Sequence, residues 1–183
     1  MGITWDRRQW RDADSLAAIG ELTARWLEGT LAYQPEDFAT QPAPETRPLV
    51  PVLAPLNRAG YVTTNSQPGV ALRAGSGQRA FVTGYCDELS LRRPERAVRD
   101  TDLVLLAFRP YDGGGEPVVV TMRDGEEATW LGRPVSADYI RHAWDQDVAP
   151  AGVSALLAAL QFQLFDPEWG RKELLWRRLR HLY

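Results

Sequence analysis

Apolar positions recur at helical spacing in the first part of the chain. Over residues 16–27 they predict a helix that begins near Ser15 and ends at Gly29, where glycine suits a left-handed terminator. Asp12 or Asp14 is the expected N-cap, because a short acidic side chain can accept a hydrogen bond from the first turn. The N-terminal part of the protein is therefore predicted to be helical.

A second apolar stretch, residues 49–59, contains two prolines. Pro51 suits a first helical turn, whereas Pro55 removes a helical hydrogen bond, so we expect a short or kinked helix. Residues 30–47, which connect the two helices, have no periodic apolar pattern. A connection of this length either carries function or wraps the surface, and we expect it to wrap the surface.

In the middle of the chain, apolar side chains alternate or run continuously, which predicts four or five strands. The segments are Tyr61–Thr64, Arg79–Cys86, Leu103–Phe108, Val118–Met122 and, as the fifth, Ala128–Leu131. The continuous run at 103–108 is typical of a central strand, and the glycines at 113–115 predict a hairpin with the following strand. Asp124-Gly125 predicts a tight turn before the fifth strand.

The C-terminal third is predicted to be helical. Ser136 is the expected cap of a helix over Ala137–Trp144. Apolar residues at 153, 156, 157, 160 and 164 form a helical stripe, and Asp166-Pro167-Glu168 has the pattern of a helix start. The order of elements indicates an α+β fold with a mostly antiparallel sheet of four to five strands. N-terminal and C-terminal helices flank this sheet in a single domain over residues 1–183.

Composition argues against several classes of protein. No apolar run approaches the ~20 residues that cross a membrane. The net charge of −3 argues against nucleic-acid binding by the whole surface. Cys86 is the only cysteine, so neither an internal disulfide nor a cysteine-based zinc site can form, which fits a cytoplasmic protein. We predict no cofactor.

The polar segment Thr64–Gly69 lies between two predicted strands and is the best candidate for a binding loop. Its hydroxyl and amide groups donate and accept hydrogen bonds, which suits a polar small ligand. Arg79 offers a fork for an anionic group, so we expect a nucleotide-like ligand. The predicted ligand-binding residues are Thr64, Asn65, Ser66, Gln67, Arg79, Tyr85, Asp166 and Trp169. The alternative is a turn whose side chains cap their own backbone.

The sequence identifies no reaction. Asp166 or Glu168 is the candidate general acid or base if one is catalysed. Asp138, His142 and Asp145 share one helix face and have the chemistry of metal ligands. The helix dipole alone explains an acid near the start and a histidine near the end of that helix, so we predict no metal.

The C-terminal segment suggests a different function. Residues 171–181 hold five Arg or Lys residues and one Glu, with Trp176 among them. The alternative function is therefore a protein-interaction module, an inhibitor or adaptor, that uses exposed aromatic residues or this basic helix. Nucleic-acid binding through the helix is a weaker prediction, and the sequence does not indicate an oligomeric state.

Four segments together resemble a family of single-domain proteins of about this length from high-GC actinobacteria and their mobile elements. The segments are Trp10–Leu16, Leu56–Gly69, Gln78–Gly84 and Phe165–Arg171. The most specific parts are Ser66-Gln67-Pro68-Gly69 and Asp166-Pro167-Glu168-Trp169-Gly170-Arg171. The resemblance implies a source and a link to phage or mobile-element defence. It transfers no catalytic residue, because the family has no assigned activity.

Overall fold

The computed structural model describes residues 3–36 and 40–182. The α-helices in these residues are α1 (Ile3–Arg11), α2 (Leu16–Leu27), α3 (Val50–Arg58), α4 (Glu88–Val98), α5 (Ala137–Trp144), α6 (Pro150–Ala158) and α7 (Leu174–Leu179). The strands are β1 (Tyr61–Gln67), β2 (Val70–Arg73), β3 (Ser76–Cys86), β4 (Val104–Phe108), β5 (Val118–Arg123), β6 (Glu126–Leu131) and β7 (Leu160–Trp169). No helix in this part of the chain has the length and apolarity needed to cross a membrane.

Strand β3 is the axis of the sheet. Along most of its length β3 lies between β1 and β7, and β4 extends the sheet beyond β7. Near its start β3 pairs with β2 and β5, and β5 forms a hairpin with β6. These pairings are all antiparallel, which confirms the predicted α+β class and antiparallel sheet. The sheet has seven strands instead of the predicted four to five.

Alternating side chains along β3 and β7 separate two apolar cores. Val82 and Leu164 belong to the main core, which the helices cover. Phe81 and Phe165 point to the other face and form a smaller core with Val120 of the β5–β6 hairpin. The sheet therefore carries helices on one face and the hairpin on the other, and each face buries its own apolar set.

The first helices follow the predicted pattern, with one different cap. Helix α2 begins after Ser15, whose hydroxyl accepts a hydrogen bond from the Ala18 amide, so the predicted cap at Asp12 or Asp14 is wrong. Gly29 ends this helix with a φ of +76°, as expected for a left-handed terminator. Helix α3 accommodates Pro55 in its interior and ends at Arg58. The next residues, Ala59 and Gly60, lead directly into β1.

Strand β4 is an edge strand. Among the described strands it pairs with β7 alone, so the predicted central position of 103–108 and its hairpin with 118–122 are both wrong. The continuous apolar run has another cause. Leu105 packs against the main core, whereas Val104 and Leu106 pack against the smaller one. Both faces of β4 are covered although one of its edges is not paired.

The predicted helix through residue 164 is also wrong. Helix α6 ends at Ala158, Ala159 has an extended backbone, and Leu160–Trp169 forms strand β7. The residues from Leu160 to Leu164 alternate apolar and amide side chains, a period that fits a strand as well as the apolar spacing fits a helix. Pairing with β3 on one side and β4 on the other decides in favour of the strand. Asp166 consequently begins no helix, and the last helix starts at Leu174.

Candidate functional site

The predicted polar loop is mainly a strand. Ser66 and Gln67 pair with Val82 and Phe81 of β3, so only Pro68 and Gly69 form a turn before β2. The expected loop conformation of residues 64–67 is therefore wrong. Polar side chains on a paired strand are held in fixed directions, which makes this segment a more rigid platform than a loop.

A β-bulge determines where Thr64 points. The pairing of β1 with β3 shifts between Thr63 and Asn65, which leaves Thr64 as the extra residue. Gly84 lies opposite, and a Cβ there would come 2.1 Å from the Val62 carbonyl oxygen, so only glycine allows the strands to approach. The Thr64 hydroxyl oxygen lies 3.1 Å from that of Thr83 on β3. Bulges commonly redirect side chains in this way next to binding sites.

Thr64 and Thr83 form part of the floor of a cleft of about 410 Å³, which we call the main cleft. Tyr85 of β3 continues the floor. Trp130 of β6 and Tyr139 of α5 contribute to the opposite wall, and both are about half exposed, at 49% and 46%. The main cleft therefore lies between the hairpin face of the sheet and the chain that connects β6 to α5.

Two glutamines of β7 hold this connecting chain in place. The Gln163 side-chain amide accepts a hydrogen bond from the Gly132 backbone N–H at 2.7 Å and donates one to the Arg133 carbonyl at 2.6 Å. Gln161 makes the same two kinds of bond to the backbone N–H and carbonyl of Val135, at 2.7 and 2.9 Å. Both amides are buried and satisfied, so they position the wall of the main cleft and have little capacity left for a ligand.

Two other buried polar side chains that line the main cleft, unlike these glutamines, form no hydrogen bond with the described residues. Gln34 is 3% exposed and Tyr85 is 2% exposed. No hydrogen bond between described residues uses the Gln34 amide or the Tyr85 hydroxyl, and neither group is among the fully enclosed polar atoms that lack a partner, so both open onto the cavity. Burial raises the pKa of Tyr85, and nearby Glu36 raises it further, so the hydroxyl stays protonated and able to donate. Buried polar groups of this kind normally bind water or a ligand.

A smaller cavity of about 200 Å³ adjoins the main cleft. Gln34, Thr64 and Asn65 line both spaces. Ser66 and Gln67 line the smaller cavity but not the main cleft. The structure thus brings five of the eight predicted residues to two adjoining cavities, with Tyr85 in the main cleft.

The other three predicted residues lie elsewhere. Arg79 and Trp169 are paired across β3 and β7, and the Arg79 guanidinium carbon lies 4.8 Å from the centre of the Trp169 ring. Burial lowers the pKa of Arg79, and Asp166 opposes that shift. None of the three residues lines the main cleft, so the predicted use of Arg79 as the anion fork of the polar segment is not supported by this geometry.

Asp166 is the centre of a structural cluster that we call the Asp166 joint, formed by Asp102, Asp166 and Arg171 together with Gly69 and Gly170. Asp166 is fully buried; one of its oxygens accepts from the Glu168 amide at 2.9 Å and the other from Arg171 at 2.6 Å. Arg171 also binds Asp102 at 2.6 Å. Asp166 is therefore occupied by its own neighbours and does not face the main cleft as an acid or base.

The two glycines of the joint explain why its two sequence motifs meet. A Cβ at Gly69 would lie 2.5 Å from the Arg171 carbonyl oxygen. Gly170 has a φ of +79°, and a Cβ there would lie 2.5 Å from the Cα of Ala71. The Ser-Gln-Pro-Gly turn and the Asp-Pro-Glu-Trp-Gly-Arg segment are thus pressed together backbone to backbone, where any side chain would intrude.

The acidic and histidine side chains of helix α5 and its end do not form a metal site. Asp138 pairs with Arg141 at 3.3 Å. His142 lines a different cavity, beside Tyr33 and Asp147, whose hydroxyl and carboxylate are hydrogen-bonded to each other. Among residues 3–36 and 40–182, no group of three or more His, Cys, Asp or Glu side chains is arranged to hold a metal ion.

Several residues of the main cleft were not predicted from the sequence. Gln34 belongs to the connection that we expected to wrap the surface, and Trp130 and Tyr139 belong to elements separated by a loop. The sequence did contain one sign of the wall of the main cleft. Gln161 and Gln163 alternate with apolar residues, at positions where a strand is buried. Amides at such positions indicate that another backbone segment crosses that face of the sheet.

Comparison with known proteins gives a family for the chain. Residues 5–182 match the model of a family described as a domain of unknown function, DUF6919, and the chain belongs to this family. A search of curated proteins found no match.

Proposed function

We propose that this member of the DUF6919 family binds a polar small molecule in the main cleft. The observation that carries the proposal is the pair of polar groups without a partner among the described residues, the Gln34 amide and the Tyr85 hydroxyl, which open onto a cavity of about 410 Å³. This volume falls within the range of about 300–1,000 Å³ that is usual for small-molecule sites. An amide and a hydroxyl that face a cavity can donate to and accept from a ligand.

The lining favours a nucleotide-like ligand. Thr64, Thr83 and Tyr85 offer hydroxyls on one side, which suit the polar edge of a base or a sugar. Trp130 and Tyr139, half exposed on the other side, can stack on a flat ring.

Arg133 takes over the role that the sequence suggested for Arg79. It lines the main cleft and forms no ion pair with any carboxylate among the described residues. A guanidinium at this position can bind a phosphate or carboxylate of the ligand. Glu36 is the acidic residue of the lining, and its carboxylate accepts a hydrogen bond from the Tyr139 hydroxyl at 3.3 Å.

The biological setting is a further part of the proposal. We place the protein in the cytoplasm of a high-GC actinobacterium, with a role in defence against phages or mobile elements. A reducing compartment fits the single cysteine, Cys86, which leaves the chain without an internal disulfide. The defence role rests on the sequence resemblance alone.

Native mass spectrometry of the purified protein tests the binding proposal. We expect a bound mass of nucleotide size, released on denaturation, whose occupancy falls at least tenfold in Tyr85→Phe because the donor hydroxyl is lost. Tyr111→Phe is the matched control, since Tyr111 is 86% exposed and lies outside the cleft. Equal occupancy in the two variants, or no bound mass together with no thermal shift across a panel of nucleotides, would contradict the proposal.

A protein-interaction module remains the second candidate, and one observation favours it. All four residues of β2 are exposed, and Val70 and Leu72 present apolar side chains to solvent. A partner strand or apolar surface could cover them. Leu72→Lys should then abolish capture of that partner while leaving nucleotide occupancy unchanged, which separates the two candidates.

A further inference from the structure

A second concave surface lies between helices α4 and α7, and we call it the arginine groove. Arg93 and Arg96 come from α4, and Arg178 and His181 come from α7 and the residue that follows its end. Together with two apolar residues, Ala97 and Leu182, they line a space of about 370 Å³. No acidic residue contributes to this lining, and none of the lining residues belongs to the main cleft.

No carboxylate of residues 3–36 or 40–182 pairs with the arginines of the groove. Arg93, Arg96 and Arg178 form no ion pair with the residues that the structure describes. Other arginines of the described residues do form ion pairs with carboxylates, and these are Arg7, Arg58, Arg109, Arg141 and Arg171. A chain of net charge −3 therefore concentrates uncompensated positive charge at one concave position.

Helix dipoles explain only part of this arrangement. Arg96 and Arg178 lie in the last turns of α4 and α7, where the helix dipole favours cations, whereas Arg93 lies in the middle of α4. That effect acts on each helix separately and would leave the side chains free to point into solvent. It does not require cations of two helices, distant in sequence, to line the same cavity.

We propose that the arginine groove binds a compact, multiply charged phosphate anion of the pyrophosphate class, either free or as the diphosphate end of a nucleotide. Guanidinium forks bind phosphate oxygens in pairs, and two helices present such forks from different directions. The side chains of Ala97 and Leu182 supply no acceptor, and the Leu182 carbonyl takes one donor of Arg93 at 3.4 Å, which leaves the other guanidinium donors for the anion. This site does not depend on the ligand of the main cleft, because the two linings share no residue.

The test is isothermal titration calorimetry of the protein with sodium pyrophosphate at constant ionic strength. We expect saturable binding that weakens at least tenfold in the double variant Arg93→Gln/Arg178→Gln. The matched control is Arg92→Gln/Arg177→Gln, which removes the same charge from the same two helices outside the groove lining and should change the affinity less than threefold. Far-UV circular dichroism of both variants establishes that each is folded.

Three results would overturn the proposal. The first is absence of pyrophosphate binding to the unmodified protein. The second is an equal loss of affinity in the two double variants, which would mean a diffuse positive field and no defined site. The third is binding of a single-stranded oligonucleotide, at the same ionic strength, by a protein that does not bind pyrophosphate, since that would make the surface a nucleic-acid contact.

Discussion

The main cleft and the Asp166 joint both contain polar side chains of low exposure and use them in opposite ways. In the joint, the buried carboxylate of Asp166 has both oxygens bonded, to the Glu168 amide and to Arg171. In the main cleft, the Gln34 amide and the Tyr85 hydroxyl form no hydrogen bond with the described residues and open onto the cavity. Polar residues near one another in a fold are therefore not equivalent. Those that satisfy each other stabilise the protein, and those left unsatisfied are available to a ligand.

This difference predicts opposite responses to substitution. Removing a polar group from the joint should leave its partners unsatisfied and lower the free energy of unfolding. Removing the Gln34 amide or the Tyr85 hydroxyl from the main cleft should leave the unfolding free energy nearly unchanged and reduce ligand occupancy.

The largest expected effect is that of Asp166→Ala. The substitution removes a fully buried carboxylate and two hydrogen bonds and leaves Arg171 without its buried partner. We expect the free energy of unfolding to fall by about 3 kcal/mol, measured by urea denaturation. Glu168→Ala is the control, because Glu168 pairs with the same arginine from an exposed position and should cost about 0.5 kcal/mol. Similar losses in the two variants would show that burial does not set the importance of the joint.

Gly69→Ala should have an intermediate effect. The new methyl group would meet the Arg171 carbonyl oxygen at 2.5 Å, and the turn and the 170–171 segment would have to move apart. We expect a loss of about 2 kcal/mol in unfolding free energy, with a lower melting temperature. Gly113→Ala has open space around the new methyl group and should stay within about 0.5 kcal/mol of the unmodified protein. An unchanged melting temperature in Gly69→Ala would mean that the two motifs are not packed as described.

The smallest expected effect is that of Gln34→Met. The replacement keeps most of the volume and removes an amide that no described residue binds, so the unfolding free energy should change by less than about 1 kcal/mol. Gln163→Met is the matched comparison, since it removes a buried amide that holds Gly132 and Arg133, and should cost about 2 kcal/mol. Equal losses in the two variants would contradict the distinction between satisfied and unsatisfied glutamines.

The sequence by itself determined the α+β class, helices α2, α3 and α5, and the strands around the polar segment. These elements have strong local signals, such as the terminator Gly29 and the cap Ser136, whose hydroxyl accepts from the Tyr139 amide. Local signals act between residues close in the chain, so they can be recognised without the fold.

Only the tertiary structure decided the nature of residues 160–169 and the composition of the site. The apolar spacing of this segment fits both a helix and a strand, and pairing with β3 and β4, far away in sequence, selects the strand. The same pairing places Asp166 and Trp169 beside Arg79 and brings Gln161 and Gln163 to the wall of the main cleft. Gln34, from the connection after α2, lines the same cavity as Thr64 and Tyr85, which come from two strands of the sheet. Contacts between residues distant in the chain depend on which surfaces the whole fold buries together, and no local pattern contains that information.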